Sequence, residues 1–174
     1  MALRPFAAFT IITAAALAGC AAPPAPKVMA MATLSPTAGN TASGMVHFTQ
    51  QGAKVLVSGE VRGLKPNADH GFHVHEKGDC SSADGMSAGG HFNPTGAPHG
   101  NHDAGEHHAG DLRMLKADAN GVAKFNYESS TISVGSGVTD IVGKGLIVHK
   151  DPDDFKTQPT GNSGARLACG VIAR

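Results

Sequence analysis

One stretch of the chain, residues 70–111, constrains the fold more than any other part of the sequence. It contains eight of the ten histidines: His70, His73, His75, His91, His99, His102, His107 and His108. The same stretch has few large apolar side chains, so it can bury little hydrophobic surface of its own. A segment rich in metal-binding side chains and poor in core residues is most simply held in shape by bound metal. We therefore expect a metal centre here, with the rest of the chain as its scaffold.

Composition sets broad limits on partners and fold. The 14 basic and 14 acidic residues balance, so bulk charge supports neither nucleic acid nor an anionic membrane surface as a partner. The 23 glycines, the scarcity of aromatic residues and the absence of Trp favour short strands and turns over long helices.

The N-terminus is typical of a targeting signal. Arg4 supplies a positive charge, and residues 6–17 form an apolar run that is too short to span a bilayer stably. The run ends in Leu-Ala-Gly-Cys at residues 17–20, which resembles the lipobox of bacterial lipoproteins. That resemblance implies that residues 1–19 are a signal peptide, cleaved before Cys20, and that Cys20 carries the lipid. The alternative is an ordinary secretory signal followed by an unrelated cysteine.

Both alternatives imply an exported protein. A lipidated Cys20 would anchor the chain to a membrane of the cell envelope, and Ala21 is compatible with the outer membrane on its periplasmic side. Residues 20–30 would then be a Pro- and Ala-rich tether, and residues 31–174 the folded domain. Met29 and Met31 have sulfurs that suit Cu(I), but methionines near a strand start usually pack, so we predict no site from them.

The cysteines fit this interpretation. Once Cys20 is lipidated, Cys80 and Cys169 remain as a single pair. Export places them in an oxidising compartment, where two free buried thiols would be unusual. We expect a disulfide between them.

The folded domain is expected to be all-β. Eight predicted strands cover residues 31–36, 43–49, 54–64, 70–76, 111–117, 121–128, 146–150 and 168–173. Asn120-Gly121 is a strong hairpin signal, and no window shows sustained helical periodicity. The pattern predicts an eight-stranded antiparallel sandwich or barrel.

Strand alternation arranges several histidines. In residues 71–75, His73 and His75 lie on one face and the apolar residues on the other. The run 146–149 repeats the pattern and turns His149 outward. We expect the two imidazoles of the first run to stand together on the outside of the sheet, as a rigid pair of metal ligands.

The loop after residue 76 carries a second set of candidate ligands. His91, His99, His108 and Asp111 could form the closed tetrahedron of three nitrogens and one oxygen that suits structural zinc. Spacing alone does not choose His108 over His107. We expect the remaining histidines, His102 and His107, to be solvated.

Other catalytic motifs are missing. His75-Glu76 lacks the second histidine of a zinc-protease helix, and residues 161–164 do not fit a nucleophile elbow. Neither a phosphate-binding glycine loop nor a basic patch with interleaved aromatics occurs.

Four motifs together resemble the copper–zinc superoxide dismutases of the bacterial exported type. They are Gly-Phe-His-Val-His (71–75), Gly-His-Phe-Asn-Pro (90–94), His-Ala-Gly-Asp-Leu (108–112) and Gly-Asn-Ser-Gly-Ala-Arg-Leu-Ala-Cys-Gly-Val-Ile (161–172). The resemblance implies a Greek-key β-barrel with a long metal-binding loop and a shorter electrostatic loop. It also implies one copper and one zinc ion per subunit, and a monomer or a homodimer.

The resemblance assigns metal ligands residue by residue. It implies that copper is bound by His73, His75, His91 and His149. It also implies that His91 is shared, as a bridge, with a zinc site formed by His99, His108 and Asp111. In the family the last zinc histidine lies three residues before the aspartate, which favours His108 over His107.

The resemblance assigns further roles near the metals. Arg166 would attract and orient the anionic substrate, and Cys80–Cys169 would be the family's disulfide. Asp153 would bridge a copper and a zinc histidine, here His73 and His99, with Asp154 as the alternative. The segment before Arg166 is short and carries little other positive charge, so the source of extra guiding charge is not evident.

The implied activity is conversion of superoxide to O2 and H2O2 by alternate reduction and oxidation of copper, which would protect the cell envelope. His91 would leave copper on reduction, take a proton and later deliver it. The alternative is a non-catalytic copper-binding or delivery protein on the same fold. Such a relative would be expected to lack zinc ligands or the arginine, and this chain has both.

Overall fold

The computed structural model describes Met1 and residues 27–174. Cys20, the remainder of the predicted signal peptide and the tether up to residue 26 lie outside the described residues. Within the part of the chain that is described, no helix has the length and apolar character needed to cross a membrane.

The structure consists of short strands with almost no helix. The strands are β1 (Met29–Pro36), β2 (Ser43–Gln51), β3 (Lys54–Arg62), β4 (Asp69–His70), β5 (Phe72–His75), β6 (Leu115–Lys116), β7 (Ala123–Ser129), β8 (Gly145–His149) and β9 (Arg166–Val171). A single turn of 3-10 helix, Met86–Ala88, lies in the long loop after β5.

Seven strands form one antiparallel sheet in the order β5-β8-β9-β1-β2-β3-β7, and β4 pairs with β6 separately. Neighbours that are distant in sequence, such as β9 with β1 and β3 with β7, require the crossing connections of a Greek key. The sheet curls around its apolar face. The predicted all-β antiparallel fold is confirmed.

The observed strand boundaries differ from the predicted ones, most at three places. Gly71 interrupts the predicted 70–76 strand, so β4 and β5 are separate and nine strands are present among the described residues. The predicted 111–117 strand shrinks to β6. β1 begins at Met29, inside the predicted tether, because Met29 pairs with Thr49 of β2.

The Asn-Gly signal marks a turn but not a simple hairpin. The Asp118 side chain accepts hydrogen bonds from the backbone N–H groups of Asn120 and Val122, and Gly121 has φ +71°. A Cβ at Gly121 would lie 2.3 Å from the carbonyl oxygen of Leu64, so both the angle and the space require glycine. β6 pairs with β4 instead of β7 because the turn's backbone bonds to the segment before β4.

Alternation along the strands builds the core. The inward side chains are fully buried and include Leu34, Val46, Phe48, Val57, Phe72, Val74, Leu146, Val148 and Ile172. Each contributes roughly 1.5–3 kcal/mol by leaving water. This apolar interior fixes which side chains of β5 and β8 face outward.

The long loop returns to the open edge of β5. The N–H of Val74 donates to the carbonyl of Gly110 at 2.8 Å, and the N–H of Phe92 donates to the carbonyl of Val74 at 2.8 Å. Isolated bridges also pair His73 with Asp111 and His75 with His91. Two segments of the loop, around residues 91 and 110, therefore pair in register with β5. This pairing places the loop's metal-binding residues over β5 and covers the open edge of the sheet.

The predicted disulfide is present. Cys80 in the loop bonds to Cys169 in β9, and the two Cα atoms are 5.8 Å apart. Ala88 and Ile147 pack with the pair in a small apolar cluster on the outer side of the sheet. Together with the backbone hydrogen bond from the N–H of Ala38 to the carbonyl of Ala83, the disulfide fixes this part of the loop to the barrel.

Candidate metal centre

The predicted copper residues form one compact cluster. His73 and His75 come from β5, His149 from the end of β8, and His91 from the loop. One nitrogen from each of the four rings lies within 4.8 Å of the other three, and all four side chains are buried. Because strand alternation separates these rings from the core residues of β5, the cluster lies on the outer face of the barrel.

Each ring of this cluster has one nitrogen held by the protein and the other facing a shared space. The Nδ1 atoms of His75 and His149 lie 2.9 and 3.3 Å from backbone carbonyls, and their Nε2 atoms are 3.3 Å apart. The Nδ1 of His73 and the Nε2 of His91 are buried with no hydrogen-bond partner among the described residues. Buried polar atoms without partners are rare, and four converging nitrogens suit a bound cation.

The predicted zinc residues form a second cluster that shares His91. His91, His99, His108 and Asp111 offer ligand atoms within 4.8 Å of one another, and all are buried. Oδ1 of Asp111 lies 2.9 Å from Nδ1 of His91 and 3.3 Å from Nδ1 of His108. Oδ2 lies 3.0 Å from Nδ1 of His99. Zinc bound at about 2.0–2.1 Å places its tetrahedral ligand atoms about 3.3 Å apart, which these separations match.

Asp153 links the two clusters. Nε2 of His73 donates to its Oδ2 at 2.7 Å, and Nε2 of His99 donates to its Oδ1 at 2.8 Å. Asp154, the alternative by one position, is exposed and accepts hydrogen bonds within its own turn. One carboxylate therefore fixes the tautomer and orientation of a ring in each cluster.

Burial keeps the first cluster neutral. We expected His73 and His75 on the outside of the sheet, and the structure has them on the outer face but completely buried under the loop. Burial lowers the pKa of His73 and lowers the pKa values of His75 and His149 further. Burial also lowers the pKa of His91 to about 4. Neutral imidazole is the form that binds metal, so these rings are ready as ligands at pH 7.

The second cluster has the opposite electrostatics. Burial opposes charge on His99, but hydrogen bonds with Asp111 and Asp153 raise its pKa to about 9. Burial likewise opposes ionisation of Asp111, but hydrogen bonds from His108, His91 and His99 hold its pKa well below the ordinary value. The cluster encloses a carboxylate that requires positive charge beside it, which a divalent ion supplies.

Arg166 lies beside the first cluster at the start of β9, where it pairs with His149 across the β8–β9 ladder. Its Nη1 donates to the carbonyl of Gly85 at 2.7 Å, and its Nη2 donates to the carbonyl of Gly89 at 2.6 Å. The Gly89 carbonyl is also the partner of His75 Nδ1. The half-buried guanidinium is therefore held on the same backbone group that orients a histidine of the cluster. Burial lowers the pKa of Arg166, but an arginine remains charged at neutral pH.

Three residues that the sequence analysis left without a role support the site. Nδ1 of His70 lies 2.8 Å from the carbonyl of His149 and holds the end of β8. The side-chain amide of Gln158 accepts from the N–H of His99 at 2.8 Å and donates to its carbonyl at 2.9 Å. A Cβ at Gly161 would lie 2.0 Å from Asp153 Oδ1. No local sequence signal marks His70 and Gln158, because each acts on a residue distant in the chain.

The two remaining loop histidines are half-buried, so the expectation that they are solvated is wrong. Nδ1 of His102 lies 3.0 Å from the carbonyl of Asp111, and its ring contacts Tyr127. Nδ1 of His107 lies 2.8 Å from the carbonyl of His108. Both rings hold the backbone of residues in the second cluster and are absent from either cluster themselves.

The outer face of this curled antiparallel barrel carries two buried clusters of metal-binding side chains, which share one histidine. This arrangement is typical of a protein with a two-metal centre. Residues 42–172 match the family described as copper/zinc superoxide dismutase. The chain is 44% identical over 136 residues to a Cu-Zn superoxide dismutase of Paramecium bursaria Chlorella virus 1, covering 74% of this chain and 71% of that protein. A crystal structure of the clock protein EA4 superposes with a TM-score of 0.76 at 40% identity, covering 84% of this chain and 94% of that one.

The chain belongs to the copper/zinc superoxide dismutase family. It is an oxidoreductase that dismutes superoxide, and it uses one copper and one zinc ion.

Proposed function

We propose that the two histidine clusters are the copper and zinc sites of this dismutase, and that the protein removes superoxide in the bacterial cell envelope. The main support for this assignment is that His91 belongs to both clusters. Its Nδ1 faces Asp111 and the second cluster, and its Nε2 is free on the side of the first. A ring with one nitrogen in each cluster is suited to bridge two ions.

In this proposal the first cluster binds copper. His73, His75, His91 and His149 offer four imidazole nitrogens, a donor set that copper accepts in both oxidation states. The second cluster binds zinc through His91, His99, His108 and Asp111, which match the closed tetrahedral set of a structural zinc site. Asp153 orients one ring in each set.

The reaction combines electron transfer with proton delivery. When bound, copper would supply a one-electron couple: one superoxide would give up an electron and leave as O2, and a second would take that electron with two protons and leave as H2O2. His91 would carry one of these protons, because its Nε2 has no hydrogen-bond partner among the described residues and can hold and donate a proton, and solvent would supply the other. Arg166 attracts the anionic substrate and orients it, because its charge is fixed beside His149 by two backbone carbonyls.

The bridging role has a spectroscopic test. Protein loaded with Cu(II) in the first cluster and Co(II) in the second should show magnetic coupling between the ions. His91→Gln should abolish this coupling while His47→Gln, outside both clusters, leaves it intact. Independent magnetic behaviour in the parent protein would refute the shared ligand.

The role of Arg166 has a kinetic test. Arg166→Ala should lower the rate of superoxide removal by tenfold or more and flatten its dependence on salt, with copper content unchanged. Arg166→Lys, which keeps the charge but not the two-pronged geometry, should recover part of the rate and most of the salt dependence. Loss of copper in Arg166→Ala would instead give the residue a ligand-supporting role.

The envelope location rests on the N-terminal sequence. The apolar run and the lipobox-like residues 17–20 support export, cleavage and lipid attachment at Cys20. A stable disulfide agrees with an oxidising compartment. In fractionated cells the parent protein should sediment with membranes, and Cys20→Ser should release an exported soluble form. Unchanged membrane association of Cys20→Ser would contradict lipid anchoring.

A further inference from the structure

The outward face of the β1–β2 pair carries three methionines and a histidine. Met29 and Met31 are 52% and 41% exposed, and the alanines that alternate with them are buried. In β2, Met45 is 43% exposed and His47 is half-exposed. We call Met29, Met31, Met45 and His47 the Met–His face.

Strand register brings these four side chains together. Met31 pairs directly with His47, Thr33 pairs with Met45, and Met29 pairs with Thr49. Directly paired residues share a face, with Cβ atoms about 4.5–5.5 Å apart. Met45 and His47 are two residues apart on one strand, as are Met29 and Met31, which is about 6.6 Å. Met31 and His47 therefore lie at the centre, with one methionine on each side.

The setting is unusual for methionine. This residue type is among those most often buried, yet three of the chain's six methionines are exposed on one face. The imidazole of His47 makes no hydrogen bond to any described residue, so its nitrogens are free. Within the β1–β2 pair the positions on this face are uncharged. On the β3 side Met45 pairs with Glu60, whose carboxylate is engaged by Arg62 and Lys124.

We propose that the Met–His face is a second copper site, separate from the two-metal centre, that binds a single Cu(I) ion through Met31, His47 and one flanking methionine. Thioether sulfur and imidazole nitrogen are donors that favour Cu(I), whereas hard divalent ions require several oxygen ligands, and the one carboxylate paired with this face, Glu60, is engaged by Arg62 and Lys124. The site does not depend on superoxide dismutase activity.

Strand spacing limits the number of ligands to three. Met29 pairs with Thr49, and Met45 lies four residues from Thr49 along β2. The Cα atoms of Met29 and Met45 are therefore about 14 Å apart. A methionine sulfur reaches only a short distance from its Cα, so both flanking sulfurs cannot bind one ion. The ion therefore has one nitrogen and two sulfur ligands. The side chains are exposed and flexible at both flanking positions, so either one can complete the set.

The test is a Cu(I) titration of protein whose two-metal centre is already filled with copper and zinc, under reducing, oxygen-free conditions with a competing Cu(I) chelator. We expect one additional Cu(I) per chain. Met31→Leu and His47→Gln should each weaken its binding at least tenfold, and the double variant should lose it. Met86→Leu, which removes an exposed methionine from the long loop, is the matched control and should bind as the parent does.

Methyl NMR of the same samples identifies the ligands. The Met31 methyl and that of Met29 or Met45 should shift on adding the extra Cu(I), and the Met86 methyl should not. Absence of the additional equivalent, or undiminished binding by the double variant, would overturn the proposal. Half an equivalent accompanied by dimerisation would put the ion between two chains and also overturn it. Superoxide removal by the filled protein should be equal in all variants, so failure here does not bear on the proposed two-metal centre.

Discussion

The two sides of the metal centre rest on different kinds of structure. His73, His75 and His149 belong to paired strands whose opposite face is packed in the apolar core. His99 and His108 belong to a long loop that has only one turn of helix and little core of its own. The proposed copper side is therefore built mainly by the barrel, and the proposed zinc side is held by cross-links: the disulfide, the backbone bonds to β5, and the carboxylates. We expect the loop, and not the barrel, to depend on its metal.

The largest effect should come from removing a strand-borne ligand. His75→Gln should reduce superoxide removal by roughly 1000-fold or more, because the chemistry needs copper, while the barrel and the zinc content persist. Metal analysis and direct measurement of superoxide decay would check this, with His47→Gln as control. Unfolding of the barrel in His75→Gln would show that the copper side is less independent than its strand pairing indicates.

The disulfide should be the strongest of the cross-links that hold the loop. Replacing both Cys80 and Cys169 by serine releases a closed segment of 89 residues and should lower the free energy of unfolding by about 4 kcal/mol on chain-entropy grounds. Urea unfolding of parent and double variant, both metal-loaded, measures it. A loss below about 1 kcal/mol would mean that zinc and backbone bonding alone hold the loop.

The carboxylate of the second cluster should matter for zinc and not for the barrel. Asp111→Asn should weaken zinc binding on the order of 100-fold, because the amide lacks the negative charge that three rings surround. Hydrogen exchange should rise in residues 77–110 and stay slow in β2 and β3. Asp103→Asn, which breaks only an exposed ion pair with Arg113, is the control from the same loop. An equal rise in hydrogen exchange in the loop and in the barrel would show that the barrel depends on zinc as much as the loop does.

The smallest effect is a pH dependence of the metal-free protein, in which the two clusters act in opposite directions. Burial lowers the pKa of His91 to about 4. Between about pH 6.5 and pH 4 the unfolded chain therefore binds a proton at this residue and the folded chain does not. The free energy of unfolding consequently falls as pH falls through this range. Despite burial, the carboxylates beside His99 raise its pKa to about 9, so its contribution is full below about 6.5 and is lost as pH rises through 9.

Each of these groups should contribute a slope of about 1 kcal/mol per pH unit. On the acid side His73, His75 and His149, whose pKa values burial also lowers, add to the effect of His91. Urea unfolding after removal of metal by a chelator, at pH 5, 6.5 and 8, measures these slopes. Protein loaded with both ions is the comparison, because bound metal replaces the protons. Stability that does not fall between pH 8 and pH 9.5, measured in the same way, would contradict the assignment for His99.

Much of the fold could be predicted because its signals are local. Alternating apolar residues defined most strands, and the residues of 71–75 separated core from ligand side chains correctly. The errors came from distant contacts. The sequence predicted a strand over residues 111–117, but only two residues of this segment pair with β4. His102 and His107 were expected to be solvated, but both are half-buried, because His102 contacts Tyr127 and the Asp111 carbonyl and His107 contacts the His108 carbonyl.

The sequence by itself determined the ligand types, the alternation that turns His73 and His75 away from the core, and the single pair of cysteines left after Cys20. The tertiary structure alone decided what surrounds them. It buried the outward imidazoles under a returning loop and used Gln158 and His70 as supports. It also brought Met45 and His47 beside Met31, which from the sequence was expected only to pack, and so formed a candidate copper site. The physical reason is that side-chain periodicity is set by the local backbone, whereas burial and cross-strand neighbours depend on segments far apart in the chain.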